Sequence, residues 1–402
     1  MTAVRGEQVR ERTDWPRMGT LVSGQAVSLI GDSMLSIALS WSAVRLGGAG
    51  AVTLLMLCST LPKAVMLLVG GAVADALGPR FTLLRTTSGR VVLLALGAVG
   101  VLVAESLPVL AVIAVVEGVL LGLGGPSFGT ILPRLASGDD LLRANSGYST
   151  VTRLAPILGA PLGAALIAVG HLWMAMAVVS LTCAVALACL AHVTRGMRAR
   201  PDPARTPLLR RSLDGFRVLG RSTRLRRLFV SSFLIDFCFG WPLLAAVPLL
   251  AVERGWGVGA VGSVIAAFSG GALASTALGA AVAHRLPLFA RLVVSGFVLA
   301  AALLAMAFAP DPVVLSAIAF GAGAASGFNG PATVTLFQAA APPGQMGSAM
   351  AALALAGIGT APFSAAVFGG LALLVGVQAT WVTCGVIAFA GPVVGILALR
   401  TR

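Results

Sequence analysis

The sequence predicts an all-α integral membrane protein of twelve transmembrane helices arranged as two pseudo-symmetric six-helix halves, and three observations carry that expectation. Of the 402 residues, 58% are hydrophobic and only 10% are charged, too few charges to cover a water-soluble fold of this size. Apolar runs of roughly 20 residues, the length a helix needs to cross a bilayer, follow one another almost from end to end. The charges sit between those runs and alternate in density from one connection to the next. A net charge of +14 would point to nucleic acid in a soluble protein; placed this way it marks membrane topology, and no nucleic-acid partner is expected.

Taken in order, spans are expected near 18–44, 51–74, 82–104, 108–130, 148–169 and 173–193, then near 228–251, 260–283, 291–309, 313–337, 348–372 and 380–399. The opening stretch 1–17 is polar and basic. The apolar run after it is too long for a signal-peptide core and holds Asp32, so it is read as a retained first span. With that terminus in the cytoplasm, the inside connections hold Arg80 and Arg85, Arg134 and Arg143, a dense run from Arg195 to Arg227, Arg285 and Arg291, whereas Arg45 and Arg254 fall outside. This asymmetry orients the chain with both termini cytoplasmic, as for a multi-pass protein of a bacterial inner membrane. The layout is therefore a terminus 1–17, a bundle 18–193, a basic linker 194–227, a bundle 228–399 and a tail 400–402. The linker, with Pro201, Pro203 and Pro207, is read as a topology anchor against anionic headgroups.

Cys58, Cys183, Cys189, Cys238 and Cys384 all fall inside spans without metal-ligand spacing and read as small apolar packing residues. His171, His192 and His284 lie near span ends, far apart, and make neither a metal cluster nor a nucleophile constellation. No metal, cofactor or enzymatic activity is expected, and the absence of a phosphate-binding loop motif speaks against direct ATP drive.

Short internal matches relate the halves. Gly122-Leu-Gly-Gly-Pro126 at the end of the fourth span returns as Gly327-Phe-Asn-Gly-Pro331 at the end of the tenth, 205 residues later. Gly71-Ala-Val-Ala after the second span returns as Gly279-Ala-Ala-Val after the eighth, 208 residues later. Parallel halves around a central site are the architecture of many secondary transporters.

These residues resemble the major facilitator superfamily over essentially the whole chain. The turn Gly71-Ala-Val-Ala-Asp75-Ala-Leu-Gly78-Pro-Arg80 is similar to that superfamily's G-x-x-x-D-R-x-G-R-[KR] signature, with Ala76 and Pro79 in place of two basic residues. The resemblance implies a cytoplasmic gate built on Gly71, Asp75, Gly78 and Arg80. Gly24 to Asp32, Gly124 to Phe128 and Arg143 to Ser146 resemble the macrolide-efflux and siderophore-exporter branch of drug:proton antiporters. In the fifth span Pro156, Gly159, Pro161 and Gly163 resemble the Gly/Pro motif of exporting antiporters, in degenerate order; small residues there also allow close packing whatever the direction of transport.

Ionisable groups inside a span are costly unless they face a cavity or a partner. Counting ~1.5 Å of rise per residue from the cytoplasmic ends places Asp32, Lys63 and Glu117 near ~20 Å, close to the midplane, with Arg90 somewhat lower and Asp236 lower still. Glu117 and Asp32 are the first candidates for proton coupling. The same carboxylates also suit a fixed ion pair with Lys63, and Asp236 suits either the lining of the second half or a helix end. Arg90 reads as a snorkelling or gate-forming residue. Trp173, Trp256 and Trp381, at span ends, read as interfacial anchors. The expected function is proton-coupled efflux of a small lipophilic molecule by a monomer whose other partners are the proton and membrane lipid. An importer or a non-transporting sensor of the same fold, and an intramembrane enzyme, are the alternatives.

Overall fold

The computed structural model describes residues 14–131, 135, 139–169, 171–195, 216–282, 287–342 and 345–399. Among them the regular elements are helices: α1 Trp15–Leu77, α2 Pro79–Val103, α3 Leu107–Ile131, α4 Asp139–Val169, α5 Leu172–Val193, α6 Thr223–Trp241, α7 Val247–Glu253, α8 Val258–Val282, α9 Leu288–Met306, α10 Pro312–Ala340, α11 Met346–Val375, α12 Val377–Ala388 and α13 Ala390–Leu399. Lipid offers the backbone no hydrogen-bond partner, so each segment satisfies its own amides as a helix. Side-chain caps at Asp14, Ser222 and Asp311 begin three of these helices. Asp311, for example, accepts from the amides of Val313 and Val314 at 2.8 and 2.9 Å to begin α10.

At 63 residues α1 is about three times the length a bilayer accommodates, and it is divided where the sequence places its first connection. Gly47 (φ −168°, ψ 26°) and Gly48 (φ 58°, ψ −143°) leave the helical region, so α1 contributes two spans. Among the described residues eleven apolar helical stretches are long enough to cross a membrane, α6 counting with α7 through a π-helical turn at Pro242–Ala246 and α12 with α13, and with α1 divided they make twelve crossings. The next reversal is tighter: Gly78 alone, at φ 88°, separates α1 from α2, and Pro79 starts the new helix. Gly48 sits in a region open essentially to glycine. Gly48→Ala is therefore expected to lower stability by about 1–3 kcal/mol, read as a fall in the thermal midpoint in detergent, while no Cβ clash arises because nothing lies within 4 Å.

The halves repeat one contact that the sequence motifs only hinted at. In the first half, α3 lies so close on α1 that a Cβ on Gly118 would overlap the carbonyl of Ser59, and one on Gly122 would come within 2.6 Å of the carbonyl of Lys63. In the second, a Cβ on Gly323 of α10 would overlap the carbonyl of Phe268 in α8, and one on Gly327 would come within 2.7 Å of the carbonyl of Ala272. The two glycine pairs are both 205 residues apart. Small-residue contacts of this kind hold helices together where the hydrophobic effect between them is weak.

The core shows how the halves meet. At the end away from the linker a single apolar cluster draws on both halves, with Val52, Leu55 and Ala164 from the first and Val258, Val261 and Phe368 from the second. At the linker end the cluster splits. Met18, Leu21, Ile131 and Leu190 pack within the first half, and Leu225, Leu292, Leu336 and Phe337 within the second. Joined through one core at one end and parted into two cores at the other, the halves enclose a central space. Trp381, expected at an interface, is fully buried among the core residues.

Candidate functional site

Between the halves lies a cavity of about 600 Å³. The first span of α1 presents Leu29, Asp32, Ser33, Ser36 and Ile37 to it, one face of a helix at three- and four-residue spacing. From across the space, Ile235, Asp236, Phe239, Gly240, Leu243 and Leu244 of the α6–π-turn segment face them. Asp236 follows Asp32 by 204 residues, close to the offset of the glycine pairs, so each half offers one carboxylate from its first span. The π-helical turn at Pro242–Ala246 forms part of this wall and contributes Leu243 and Leu244. Lys63 is the remaining charged wall residue; the rest is largely apolar, with Phe239 and Phe268 rings 6.0 Å apart and hydroxyls from Ser269, Ser326 and Thr152.

Behind Asp32 stands a buried cluster. Arg90 of α2, 6% exposed, donates from Nε to Oε1 of Glu117 at 2.8 Å, and its Nη2 lies in ion-pair contact with the same oxygen at 2.6 Å. Its Nη1 donates to Ser28 Oγ at 3.2 Å, and its Nη2 also pairs with Asp32. The partner of both carboxylates is therefore Arg90 and not Lys63, which has no carboxylate within 4 Å among the described residues. Arg90 does not snorkel. Depth along a helix axis put Lys63 level with the carboxylates, but direction around the axis turns it into the cavity and leaves the guanidinium to reach between α1 and α3.

The two carboxylates differ in what else they touch. Glu117 is 5% exposed, lines neither this cavity nor the one beside it, and leaves its Oε2 without a hydrogen-bond partner. Asp32 keeps 25% of its side chain exposed and borders two spaces: the central cavity and a smaller one of about 120 Å³ inside the first half, where Gln25, Ser28, Thr86, Arg90 and Tyr148 supply polar atoms. With both acids ionised, the three groups carry one net negative charge. Adding Lys63 and Asp236 leaves the sum at one negative charge.

The fifth-span motif frames the same place. A Cβ on Gly159 would overlap the carbonyl of Ile30, and one on Gly163 would approach the carbonyl of Met34 to 2.7 Å. The two glycines of α4 thus clamp α1 on either side of Asp32. Pro156 lines the cavity, and Pro161 lies where Gly262 of α8 meets α4, a Cβ there reaching Pro161 Cα at 3.2 Å. Of the gate motif, Gly71 and Asp75 lie in the last turns of α1 and Arg80 begins α2, while the Asp75 side chain lies outside the described part. So do Pro133, Arg134 and the 283–286 connection with His284 and Arg285, and the side chains of Arg143, Asn145 and Ser146. Sequence reasoning passed over Ser33, Ser36, Ser269 and Ser326; Ser36, one helical turn after Asp32, was the one with a legible signal.

Comparison with known proteins agrees with this architecture. The family model for the Major Facilitator Superfamily matches residues 21–361. A curated relative, an uncharacterized MFS-type transporter, y4rN, of Sinorhizobium fredii (strain NBRC 101917 / NGR234), is 28% identical over 196 residues, 46% of this chain and 46% of its own, so the match spans about half the length of that relative. Among solved structures, a peptide transporter POT in complex with sulfate superposes with a TM-score of 0.77 at 14% identity, covering 98% of this chain and 96% of the other. A D-xylose-proton symporter gives 0.72 at 14% over 94% and 96%. A bacterial homologue of the human lysosomal transporter Spinster, inward-facing and unoccupied, gives 0.69 at 15% over 96% and 97%. Identities this low speak for the fold alone. The family model covers most of the chain, and this multi-pass protein belongs to the major facilitator superfamily.

Proposed function

We propose that the protein is a secondary active exporter that moves small lipophilic, preferentially cationic molecules out of the cytoplasm in exchange for protons. The observation that carries this reading is the placing of two carboxyl groups, Asp32 and Glu117, on the single guanidinium of Arg90, which with both acids ionised leaves one negative charge unbalanced. A buried cluster with one uncompensated negative charge costs several kcal/mol in a membrane interior. One positive charge relieves it, and Asp32 is the member of the cluster that a cavity occupant can reach. A proton on Asp32 or a cationic substrate beside it serves equally; both together over-neutralise the site. Mutual exclusion of that kind is what couples the two movements in opposite directions. The largely apolar wall suits a lipophilic body, with Phe239 and Phe268 available to an aromatic or cationic part.

Alternating access follows from the way the halves meet. The arginine asymmetry supports a cytoplasmic linker and cytoplasmic termini in a bacterial inner membrane, so the parted end is the cytoplasmic one and the cavity is the inward-facing form. Outward opening requires the shared cluster of Val52, Val258 and Phe368 to separate while the linker ends close. The glycine turn at Gly78 and the gate residues Asp75 and Arg80 lie on the side that has to close.

The test is uptake of a panel of lipophilic cations into everted vesicles or oriented proteoliposomes. With the interior acidic, accumulation is expected inside and is lost when the gradient is collapsed. Asp32→Asn is expected to reduce gradient-driven accumulation at least tenfold while the protein remains in the membrane. Accumulation indifferent to the gradient, or an Asp32→Asn variant that couples normally, would overturn the reading.

A further inference from the structure

A second recess opens on the outer, membrane-facing side of the other half, between α9 and α10. Ala290, Arg291, Val294 and Val298 line it from α9; Gly321, Ala324 and Phe328 line it from α10. Both sets recur at three- and four-residue spacing, one face of each helix. Small residues at 290, 321 and 324 leave about 360 Å³ between larger neighbours. Val294 and Val298 are 60% and 45% exposed, so the recess faces the surroundings of the bundle. The same two helices send different residues, Leu299 and Ser326, to the central cavity.

Polarity changes along its length. The hydroxyl of Ser295 donates to the backbone carbonyls of its own helix and accepts from Asn329 Nδ2 at 2.9 Å, so this wall is satisfied internally. The recess has one charged residue, Arg291. Its guanidinium stands 6.0 Å from the Phe328 ring centroid, its Nε has no hydrogen-bond acceptor, and among the described residues no carboxylate lies within 4 Å. Arg291 is in the first turn of α9, at the end of the bundle that also carries the linker, whereas Val298 lies seven residues, or ~10 Å, deeper. A cation therefore sits at headgroup level, and an apolar slot runs from it toward the bilayer midplane.

We propose that this recess binds one anionic phospholipid from the leaflet on the linker side, with an acyl chain along Val294, Val298, Gly321 and Ala324 and the phosphate on the Arg291 guanidinium. An amphiphile with a single apolar chain end and a negative head matches both the sequence of polarities and their spacing. An anionic headgroup supplies the counter-ion that no described carboxylate gives Arg291, and a basic pocket between spanning helices on the cytoplasmic side is where such headgroups are held. A zwitterionic lipid brings its own cation and gains less. The Phe328 ring fixes the guanidinium over the mouth, so the preference is local to this recess and is not a general property of the basic surface. It does not depend on what the central cavity transports.

The test uses the full-length protein in nanodiscs with phosphatidylglycerol or phosphatidylcholine carrying a photoactivatable acyl chain, the labelled peptides being mapped by mass spectrometry. Labelling of 290–298 and 321–328 is expected to be at least fivefold stronger with phosphatidylglycerol. Arg291→Gln is expected to bring it down to the phosphatidylcholine level, Arg291→Lys to retain most of it, and Ala324→Phe to abolish it by filling the slot. The outer face of α2, where Val92, Leu96 and Val99 are exposed, serves as the reference surface and should label equally with both lipids in every variant. Equal labelling of the recess by the two lipids, unchanged selectivity in Arg291→Gln, or crosslinks from the recess to a second copy of the chain in place of lipid would each overturn the proposal.

Discussion

Arg90→Leu is expected to be the most damaging single substitution in the protein, lowering stability by about 3–5 kcal/mol, the range for removing one member of a buried ion pair. The guanidinium makes bonds to Glu117 and Asp32 and a fourth contact to Ser28, and without it two carboxylates face each other in a nearly dry site. The two do not suffer equally. Asp32 retains a quarter of its side-chain surface and borders two cavities, so water can replace part of what it loses. Glu117 is enclosed, with one carboxylate oxygen already unpaired. Arg90→Leu/Glu117→Leu is therefore expected to recover most of the lost stability, since a buried ion pair replaced by apolar groups is often near neutral. The two changes together should then cost clearly less than the sum of the singles, a coupling of at least about 1 kcal/mol in a double-mutant cycle. Thermal midpoints of the four proteins in one detergent check this. If Arg90→Leu melts with the parent, or the double variant is as unstable as the additive sum, the cluster is not the interdependent unit described.

The architecture was legible because lipid leaves a sequence few options. Length, apolarity and the spacing of charge place twelve spans, and the observed helices fall on them; even the long α1 breaks at Gly47–Gly48, inside the connection expected between spans one and two. Counting residues along each helix gives an expected depth in the membrane. Direction around each helix axis was not legible, because nearly uniform apolar composition erases the periodicity that reports it. That is why a Lys63 ion pair stands in the sequence as one alternative for Asp32 or Glu117, and why Arg90, long enough to reach both carboxylates, reads there as a snorkelling or gate-forming residue. The same blindness hid the roles of Gly118 and Gly323. Each is one glycine in a chain that has 49, and only the neighbouring backbone shows that no side chain fits there. The π-helical turn after Trp241 was beyond reach for a different reason: Pro242 signals that the helical ladder is disturbed, but not whether the chain answers with a kink, a stop or a widened turn.

Gly159→Ala is expected to impair transport out of proportion to its size. Alanine is ordinarily the better helix former by about 1 kcal/mol, so propensity alone predicts a gain in stability. At this position the added methyl would overlap the carbonyl of Ile30 and approach Ser33 Cβ to 2.7 Å. The obstruction on the α1 side includes backbone, which cannot rotate out of the way, so α4 and α1 must separate. Overpacking of this kind costs about 1–3 kcal/mol. The functional consequence is larger because of what lies between the two clamp points: Asp32 sits between Ile30 and Met34, and a shift of α1 moves it relative to Arg90 on α2, where their hydrogen bond tolerates only a few tenths of an ångström. Gly163→Ala, against Met34, should act the same way, and the pair should be worse than either. Gly370→Ala, a helical glycine with nothing within 4 Å of the added carbon, supplies the contrast and is expected to be neutral or slightly stabilising with transport intact. Thermal midpoint and gradient-driven uptake measured side by side separate the two effects: a Gly159→Ala variant that behaves like Gly370→Ala in both would mean that α4 does not hold Asp32 in place.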